Sequence, residues 1–334
     1  MIRHDNLRTE ISKKLVCRKV LDKKNGLKEK DRKKATMARL LFFRRTVTFF
    51  FCSVLFVLAT KQKNSGLTVK MLDVGQGDSI FIACGDTTIL VDAGRSSKRE
   101  LEKYTLFPFL KANGVQRLDY LIITHSDSDH ISGAAELMRE RIQQKSYVKT
   151  LVLQDIGEVV KDEAYHGLEE EAQKNGVAVL YLSKGMTLAN EKMALTCLWP
   201  LKGEASGDKN TLSIVFLLTE KEKGIVSFSM LFTGDLTGEG EERMMRENRL
   251  LTKVDVLKTG HHGSAGSSGE AFLAALQPRL ALISCGENNR YGHPHEKVLE
   301  RFFSMGCDVY RTDRSGCITV SVEGEEIKVI PFCK

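Results

Sequence analysis

Four potential ligands stand within six residues in His125-Ser126-Asp127-Ser128-Asp129-His130. They follow directly on Tyr120-Leu121-Ile122-Ile123-Thr124, an apolar, β-branched run that predicts a strand. A loop at a strand end can fan imidazole and carboxylate groups around one or two cations, and the strand holds that loop rigid. The placement recurs along the chain. Phe232-Thr233-Gly234-Asp235 closes the run Ser227–Phe232, Thr259-Gly260-His261-His262-Gly263-Ser264 closes Val254–Lys258, and Leu90-Val91-Asp92-Ala93-Gly94 closes Thr88–Val91. Taken singly, Asp92 or Asp235 would be a turn or helix-cap aspartate. Taken with His125–His130 they are expected to converge, because loops at one sheet edge collect functional groups. The chemistry such a cluster supports is metal-assisted hydrolysis. Two divalent ions about 3.5–4 Å apart lower the pKa of water and neutralise charge on a phosphoryl oxygen.

The elements that must position these residues are mixed throughout the chain. Short β-rich runs are expected at Leu67–Val74, Ser79–Ala83, Thr88–Val91, Tyr120–Thr124, Val148–Leu153, Val177–Leu182, Leu212–Leu218, Ser227–Phe232, Val254–Lys258, Leu280–Ser284, Val309–Arg311 and Cys317–Val322. Helical periodicity lies between several of them, at Tyr104–Asn113, Gly133–Gln144, Asp162–Asn175, Gly238–Arg249, Glu270–Ala275 and Glu296–Met305. One α/β domain over residues 67–332, its sheets covered by helices, is the expectation. The chain has 334 residues, 42% hydrophobic and 28% charged, which excludes collagen, a long disordered protein and a multi-span membrane protein. No C-x-x-C pair occurs, so neither a zinc ribbon nor a thioredoxin-type site is supported. The chain also lacks G-x-x-x-x-G-K-[ST], G-x-G-x-x-G and G-x-S-x-G, so no nucleotide cofactor and no serine-nucleophile elbow are expected.

The formal net charge of +7 hides an asymmetry. Residues 1–50 hold 16 Lys/Arg against 5 Asp/Glu, or +11, which leaves 34 against 38, or −4, for residues 51–334. The basic character is therefore local and does not mark the folded part as a nucleic-acid binder. Residues 1–45 read as a basic tail, and 46–60 as a signal peptide or a membrane anchor. Thr46–Ala59 carries no charge and follows Arg44 and Arg45. At 14 residues it is short of the roughly 20 that a spanning helix needs, and it suits the apolar core of an export signal. With either outcome the positive flank stays cytoplasmic and the remainder is exported. Met37 opens a segment that would be a complete export signal on its own.

Taken together, His125-x-Asp127-x-Asp129-His130, Phe232-Thr233-Gly234-Asp235 and Gly260-His261-His262-Gly263-Ser264 resemble the metallo-β-lactamase-fold hydrolases. A narrower similarity, to the C-terminal extracytoplasmic domain of the ComEC-type DNA-uptake proteins, rests on four further segments. These are Asp73-Val74-Gly75-Gln76-Gly77-Asp78-Ser79, Leu257-Lys258 before His261-His262, Asn288-Asn289-Arg290-Tyr291-Gly292-His293-Pro294-His295, and Tyr310-Arg311-Thr312-Asp313 before Gly316. The resemblance implies a four-layer αββα sandwich behind an N-terminal signal or anchor helix. It further implies two divalent ions, zinc or manganese, at one edge between the sheets. His125 and Asp127 would serve one ion and Asp129 and His130 the other. Asp235 would bridge, and His261 would complete the second site with His262 as its rival. Asp129 could shuttle protons, and His293 could contact the substrate or leaving group.

Lys258, His262, Ser264, Asn289 and Arg290 are expected to cradle a phosphate, with Arg311, Arg314 and Lys297 as a basic rim. The Gly-rich turn ending at Asp78 is expected to pack beneath the metal edge. Asn210 and Ser213 resemble a family segment near the site. Asp127 stands where the family usually has His, and the one histidine between the first loop and Asp235 is His166, read as a surface residue of a helix. Carboxylate for imidazole makes the first site harder and suits manganese or magnesium. The implied activity is a phosphodiesterase or nuclease acting on DNA outside the membrane. A different exported phosphodiester substrate, or a DNA-binding module without turnover, are the alternatives.

Overall fold

The computed structural model describes residues 34, 36, 37, 39–53, 66–96, 100–205, 207–222, 224–324 and 326–332. The chain divides into two compact units, Met1–Gln62 and Lys63–Lys334. The described part of the first unit is helical and exposes Leu40, Phe42, Phe43, Phe49 and Phe50. Among the described residues no helix is long and apolar enough to cross a membrane. Most of the expected basic tail, and residues 54–60 of the expected signal or anchor, lie outside the described residues.

The second unit carries seventeen strands among its described residues. They are β1 (Leu67–Met71), β2 (Ile80–Cys84), β3 (Thr87–Val91), β4 (Leu118–Ile122), β5 (Arg141–Ile142), β6 (Lys145–Ser146), β7 (Val148–Gln154), β8 (Ala178–Leu182), β9 (Thr187–Ala189), β10 (Met193–Trp199), β11 (Val215–Glu222), β12 (Ile225–Phe232), β13 (Val256–Lys258), β14 (Leu280–Ile283), β15 (Asp308–Arg311), β16 (Ile318–Glu323) and β17 (Glu326–Pro331). One sheet has the order β17-β16-β1-β2-β3-β4-β7-β8 and the other β15-β14-β13-β12-β11-β10-β9, with β5-β6 a separate hairpin. Both large sheets are mixed. Strands β3, β4, β7 and β8 run parallel, as do β12 to β15, and the remaining pairs are antiparallel. Strands β9, β10 and β17 lie outside those the sequence predicts. The expected helix over Gly133–Gln144 stops at Arg139, where the β5-β6 hairpin takes over.

Three hydrophobic clusters define the layers. One lies between the sheets and joins residues such as Val69, Ile82 and Val91 of the first to Leu195, Phe216 and Phe232 of the second. Another covers the outer face of the first sheet, where Leu110, Leu137 and Leu168 come from helices at Phe107–Ala112, Ala134–Arg139 and Glu163–Asn175. The third covers the outer face of the second sheet, with Met244, Phe272 and Phe302 from helices at Gly238–Glu247, Glu270–Leu276 and Glu296–Ser304. Strands buried on both faces read as unbroken apolar runs, which is why Ile80–Cys84 is buried at every position. Parallel strands leave their C-terminal ends on one edge of a sheet, and ligands in open α/β sheets gather there. The loops after β3, β4, β12 and β13 meet at that edge, and they are the loops with the Asp and His residues.

Glu241 ties two outer helices together. Its carboxylate is buried and accepts the backbone N–H groups of Ser268 and Gly269, just before the helix at Glu270–Leu276. Burial pushes its pKa up to about 7, against the pull of those two amides. The folded chain therefore holds this proton at pH values where the unfolded chain has released it. Stability from this group is greatest below the ordinary glutamate value of 4.5 and is lost as pH rises toward 7. Glu241→Gln is expected to flatten that decline, read as the difference in denaturation midpoint from wild type between pH 4.5 and 7.5. Glu241→Ala should destabilise by about 1–3 kcal/mol, because it orphans two amides.

Candidate metal centre

The centre is built at one edge of the sandwich, between loops of the two sheets. Asp92 follows β3 directly, and its N–H donates to Ile122 O at 2.8 Å. The loop 124–130 follows β4 and is pinned by His130 O, which accepts from Ala93 N at 2.8 Å, and by Asp129 O, which accepts from Asp78 N at 3.0 Å. Gly94 permits this close approach. A Cβ there would lie 2.0 Å from the Asp129 carbonyl carbon. From the second sheet, Asp235 follows β12 and takes its place through an N–H to Ser213 Oγ bond of 3.1 Å. His261 and His262 follow β13 with φ of 47° and 55°, a left-handed conformation costly for residues with a Cβ. Strain of that kind gathers at functional sites. Here it aims two consecutive rings at one carboxylate.

The three buried histidines share one feature. Each has its Nδ1 committed, and each is left with an unpartnered Nε2. His130 Nδ1 donates to Asp92 Oδ2 at 2.8 Å. His262 Nδ1 faces Ser284 O at 3.0 Å, and a carbonyl can only accept. Thr124 Oγ1 donates to Asp92 Oδ2 at 2.8 Å and stands 3.1 Å from His125 Nδ1, so its oxygen receives the His125 proton. With Nδ1 carrying the proton, each ring in its neutral form would present an Nε2 lone pair to the cavity. Those nitrogens converge on Asp235 Oδ2, with His130 at 3.2 Å, His262 at 3.5 Å and His125 at 4.0 Å. Asp129 Oδ2 lies 3.5 Å from His262 Nε2, and Asp127 Oδ2 lies 3.7 Å from His125 Nε2. Four sets among the described residues, His125-His130-Asp235, Asp129-His130-His262, Asp78-Asp92-His130 and Asp78-Asp235-His262, hold their ligand atoms within 4.8 Å of one another.

The electrostatics are dominated by carboxylates. Asp78, Asp235 and Asp92 act on one buried ammonium, Lys258. Burial alone would raise Asp235, but His130, His262 and Lys258 hold it well below the usual carboxylate range. Burial would depress His262, yet Asp235 and Asp78 raise it to about 10. Burial would depress His130 in the same way, and Asp235 and Asp92 drive it well above the ordinary imidazole value. The cavity demands positive charge at Nε2, and a divalent cation meets that demand as a proton does. Three convergent imidazole nitrogens, buried and otherwise unpartnered, together with Asp129 and Asp235, fit a metal.

The sequence-predicted residues divide on inspection. His125, Asp127, Asp129, His130 and Asp235 come together, and so does His262. His261 does not enter the clusters. It is half-buried, with Nε2 3.8 Å from Asp235 Oδ2. Lys258 is 1% exposed and pairs with Asp78 and Gly234 O beneath the site, so it is not open to a phosphate. Asn289 is engaged by its own loop, donating to Gly286 O at 2.9 Å and accepting His293 N at 2.9 Å. Ser264 O caps the turn to Ser267, and Ser264 is absent from the cavity wall. Arg311 is paired with Asp313 at 2.6 Å rather than free at a rim. His293 does line the cavity, while Arg290 is exposed beside it. Burial, His262 and His261 lower the His293 pKa to about 4, which leaves the ring neutral at pH 7. His166 is a surface residue paired with Glu158 and Glu169.

The sequence assigns Asp78 a packing role alone. In the structure it is a buried partner of Lys258 and lies 3.5 Å from His262 Nδ1. An aspartate in a Gly-rich turn beside an apolar strand is the signal that points to it. Lys209, which no pattern marks, pairs with Asp127 at 3.0 Å and with Asp162 at 2.6 Å.

The profile described as the metallo-beta-lactamase superfamily matches residues 72–180. The chain is similar to ComE operon protein 3 of Bacillus subtilis (strain 168), with 36% identity over 283 residues, covering 80% of this chain and 34% of that protein. Competence protein ComA of Neisseria gonorrhoeae is 28% identical over 280 residues, covering 79% of this chain and 34% of that protein. Recombination protein 2 of Haemophilus influenzae is 29% identical over 269 residues, covering 78% and 29% respectively. The chain thus spans about a third of the length of the curated relatives it matches.

Asp92 touches His130 from behind, so its loss should act on metal affinity through ring orientation. Asp92→Asn is expected to weaken manganese binding about 10–100-fold. Competition with a chromogenic chelator would measure this. Unchanged affinity would remove Asp92 from the orienting role.

Proposed function

Because this chain carries a metallo-beta-lactamase domain and is homologous to the ComEC-type competence proteins over 80% of its length, we propose that it is a metal-dependent phosphodiesterase that cleaves DNA outside the membrane. The observation that carries this reading is the convergence of three unpartnered Nε2 atoms on Asp235, with Asp129 beside His262 Nε2. In it, His125 and Asp127 would hold one divalent ion and Asp129, His130 and His262 a second, and Asp235 would serve both. His262 takes the position that His261 was expected to fill, because it is the buried ring whose Nε2 faces both Asp129 and Asp235. His261 stands at the open side of Asp235, where it would meet substrate. Divalent ions there would supply Lewis acidity to a phosphoryl oxygen and lower the pKa of water.

The chain's own groups have separable tasks in this reading. Asp129, partly open to the cavity, takes the proton of the attacking water and passes it to the leaving oxygen. His293, neutral and on the cavity wall, orients the substrate by hydrogen bonding rather than by proton donation. Lys258 offsets the charge of Asp78 and Asp235 and keeps the buried carboxylates together. DNA as the diester, and the extracytoplasmic setting, are supported by the competence and recombination names of the relatives and by the basic flank before residue 46.

The full chain, incubated with manganese, should cleave both linear DNA and bis-p-nitrophenyl phosphate, and chelator should stop both reactions. Manganese should restore activity after chelation at least as well as zinc, because Asp127 makes the first site harder. Asp129→Ala and Asp235→Ala should each lower turnover by more than the roughly 10–100-fold expected for loss of an outer partner. Cleavage of the small ester alone would redirect the reading to another phosphodiester, and retarded but uncut DNA would make the chain a binding module. Restoration by zinc alone would contradict the hard-site argument.

A further inference from the structure

The wall of the metal cavity includes an aromatic residue, Tyr291, beside His293. The cavity, about 260 Å³, is lined by Tyr291 and His293 together with Gln76, Ser128, Asp235 and His262. Tyr291 is 46% exposed, so part of its surface is open to solvent. Its ring lies 22° from parallel with His293, with centroids 5.7 Å apart. The Arg290 guanidinium sits 4.9 Å from the ring centroid and donates to Tyr291 Oη at 2.8 Å.

The loop that presents this pair is held from within and from outside. Asn289 Oδ1 accepts the N–H groups of Tyr291 and His293, and His295 N donates to Gly263 O at 2.8 Å, next to the His261-His262 turn. The ring is therefore fixed relative to the metal ligands. A planar aromatic ring, stacked near an imidazole and with a guanidinium over it, lines a cavity suited to a phosphodiester.

We infer that Tyr291, with Arg290, is a stacking platform for an unpaired nucleobase next to the scissile phosphate, so that the preferred substrate is single-stranded nucleic acid. This rests on the phosphodiesterase reading above and names its substrate class. A base in single-stranded nucleic acid offers a free π-face to an aromatic side chain, whereas a base in a duplex is already stacked and paired. Arg290 adds a cation at the ring and a contact for the neighbouring backbone phosphate. The platform reads no sequence, because every base has a face to stack.

The test uses the full chain with manganese and three substrates of equal length: single-stranded oligothymidylate, an abasic oligonucleotide and a duplex. Tyr291→Ala should raise KM for oligothymidylate about tenfold. It should leave kcat near wild type and leave KM for the abasic strand and the duplex unchanged, while Tyr291→Phe stays within about twofold on all three. Because Tyr291 is exposed, both variants are expected to keep the wild-type melting temperature. Equal KM changes on the oligothymidylate and abasic strands, or none on either, would overturn the platform while leaving the phosphodiesterase intact. Absence of cleavage by the wild type would sink the phosphodiesterase reading, and the platform would then be judged by fluorescence anisotropy of the uncut strands. There, a roughly tenfold weaker Kd for Tyr291→Ala on oligothymidylate alone supports it. No binding, or no distinction from the abasic strand, rejects it.

Discussion

Buried carboxylates need positive charge, and the edge where the two sheets meet is arranged around that need. Asp78, Asp92 and Asp235 are almost fully buried. In an interior of low dielectric, unpaired anions of this kind are too costly to keep. Lys258 meets part of the demand from beneath, through Asp78. The imidazoles of His130 and His262 meet more of it, which is why both are displaced toward their charged forms. A divalent cation at the Nε2 atoms satisfies the same field without a proton, so one electrostatic constraint explains both the altered pKa values and the suitability of the cavity for metal.

The scaffold sustains this arrangement at a cost in backbone strain and close approach. His261 and His262 adopt positive φ, and Gly94 runs against the Asp129 carbonyl with no room for a side chain. These features sit on loops anchored at the ends of buried strands, where a displacement of one element would break hydrogen bonds in both sheets. Behind each ring stands a specific acceptor: Asp92 for His130, Ser284 O for His262 and Thr124 for His125. Rings held in one tautomer keep their lone pairs aimed inward, which is the property a metal site requires of its outer partners.

The two halves of the centre are not equally secure. The Asp129-His130-His262 side is built from buried rings with fixed partners. Asp127 is 39% exposed on its side chain and shares its carboxylate with Lys209. Exposed ion pairs contribute little and are screened by salt. The asymmetry therefore lies in solvent access and in the carboxylate at position 127.

Much of this was legible in one dimension. Strand-then-ligand punctuation marked His125 to His130, Asp235 and the His261-His262 pair, because an apolar β-run that ends in Asp or His carries an ionisable group to the rim of a buried sheet, where it needs a counter-charge. The mixed α/β architecture followed from the alternation of runs with period two and period 3.6. The tertiary structure decided what linear order cannot express. Two adjacent histidines are equivalent on paper, and it was the left-handed turn that buried His262 and left His261 at the open side. Lys258 looked available to an anion until packing enclosed it against Asp78, a partner 180 residues away in sequence. Asn289 looked like a ligand until its own loop engaged its amide. Such choices depend on burial and on partners distant along the chain, and those exist only once the two sheets close on each other.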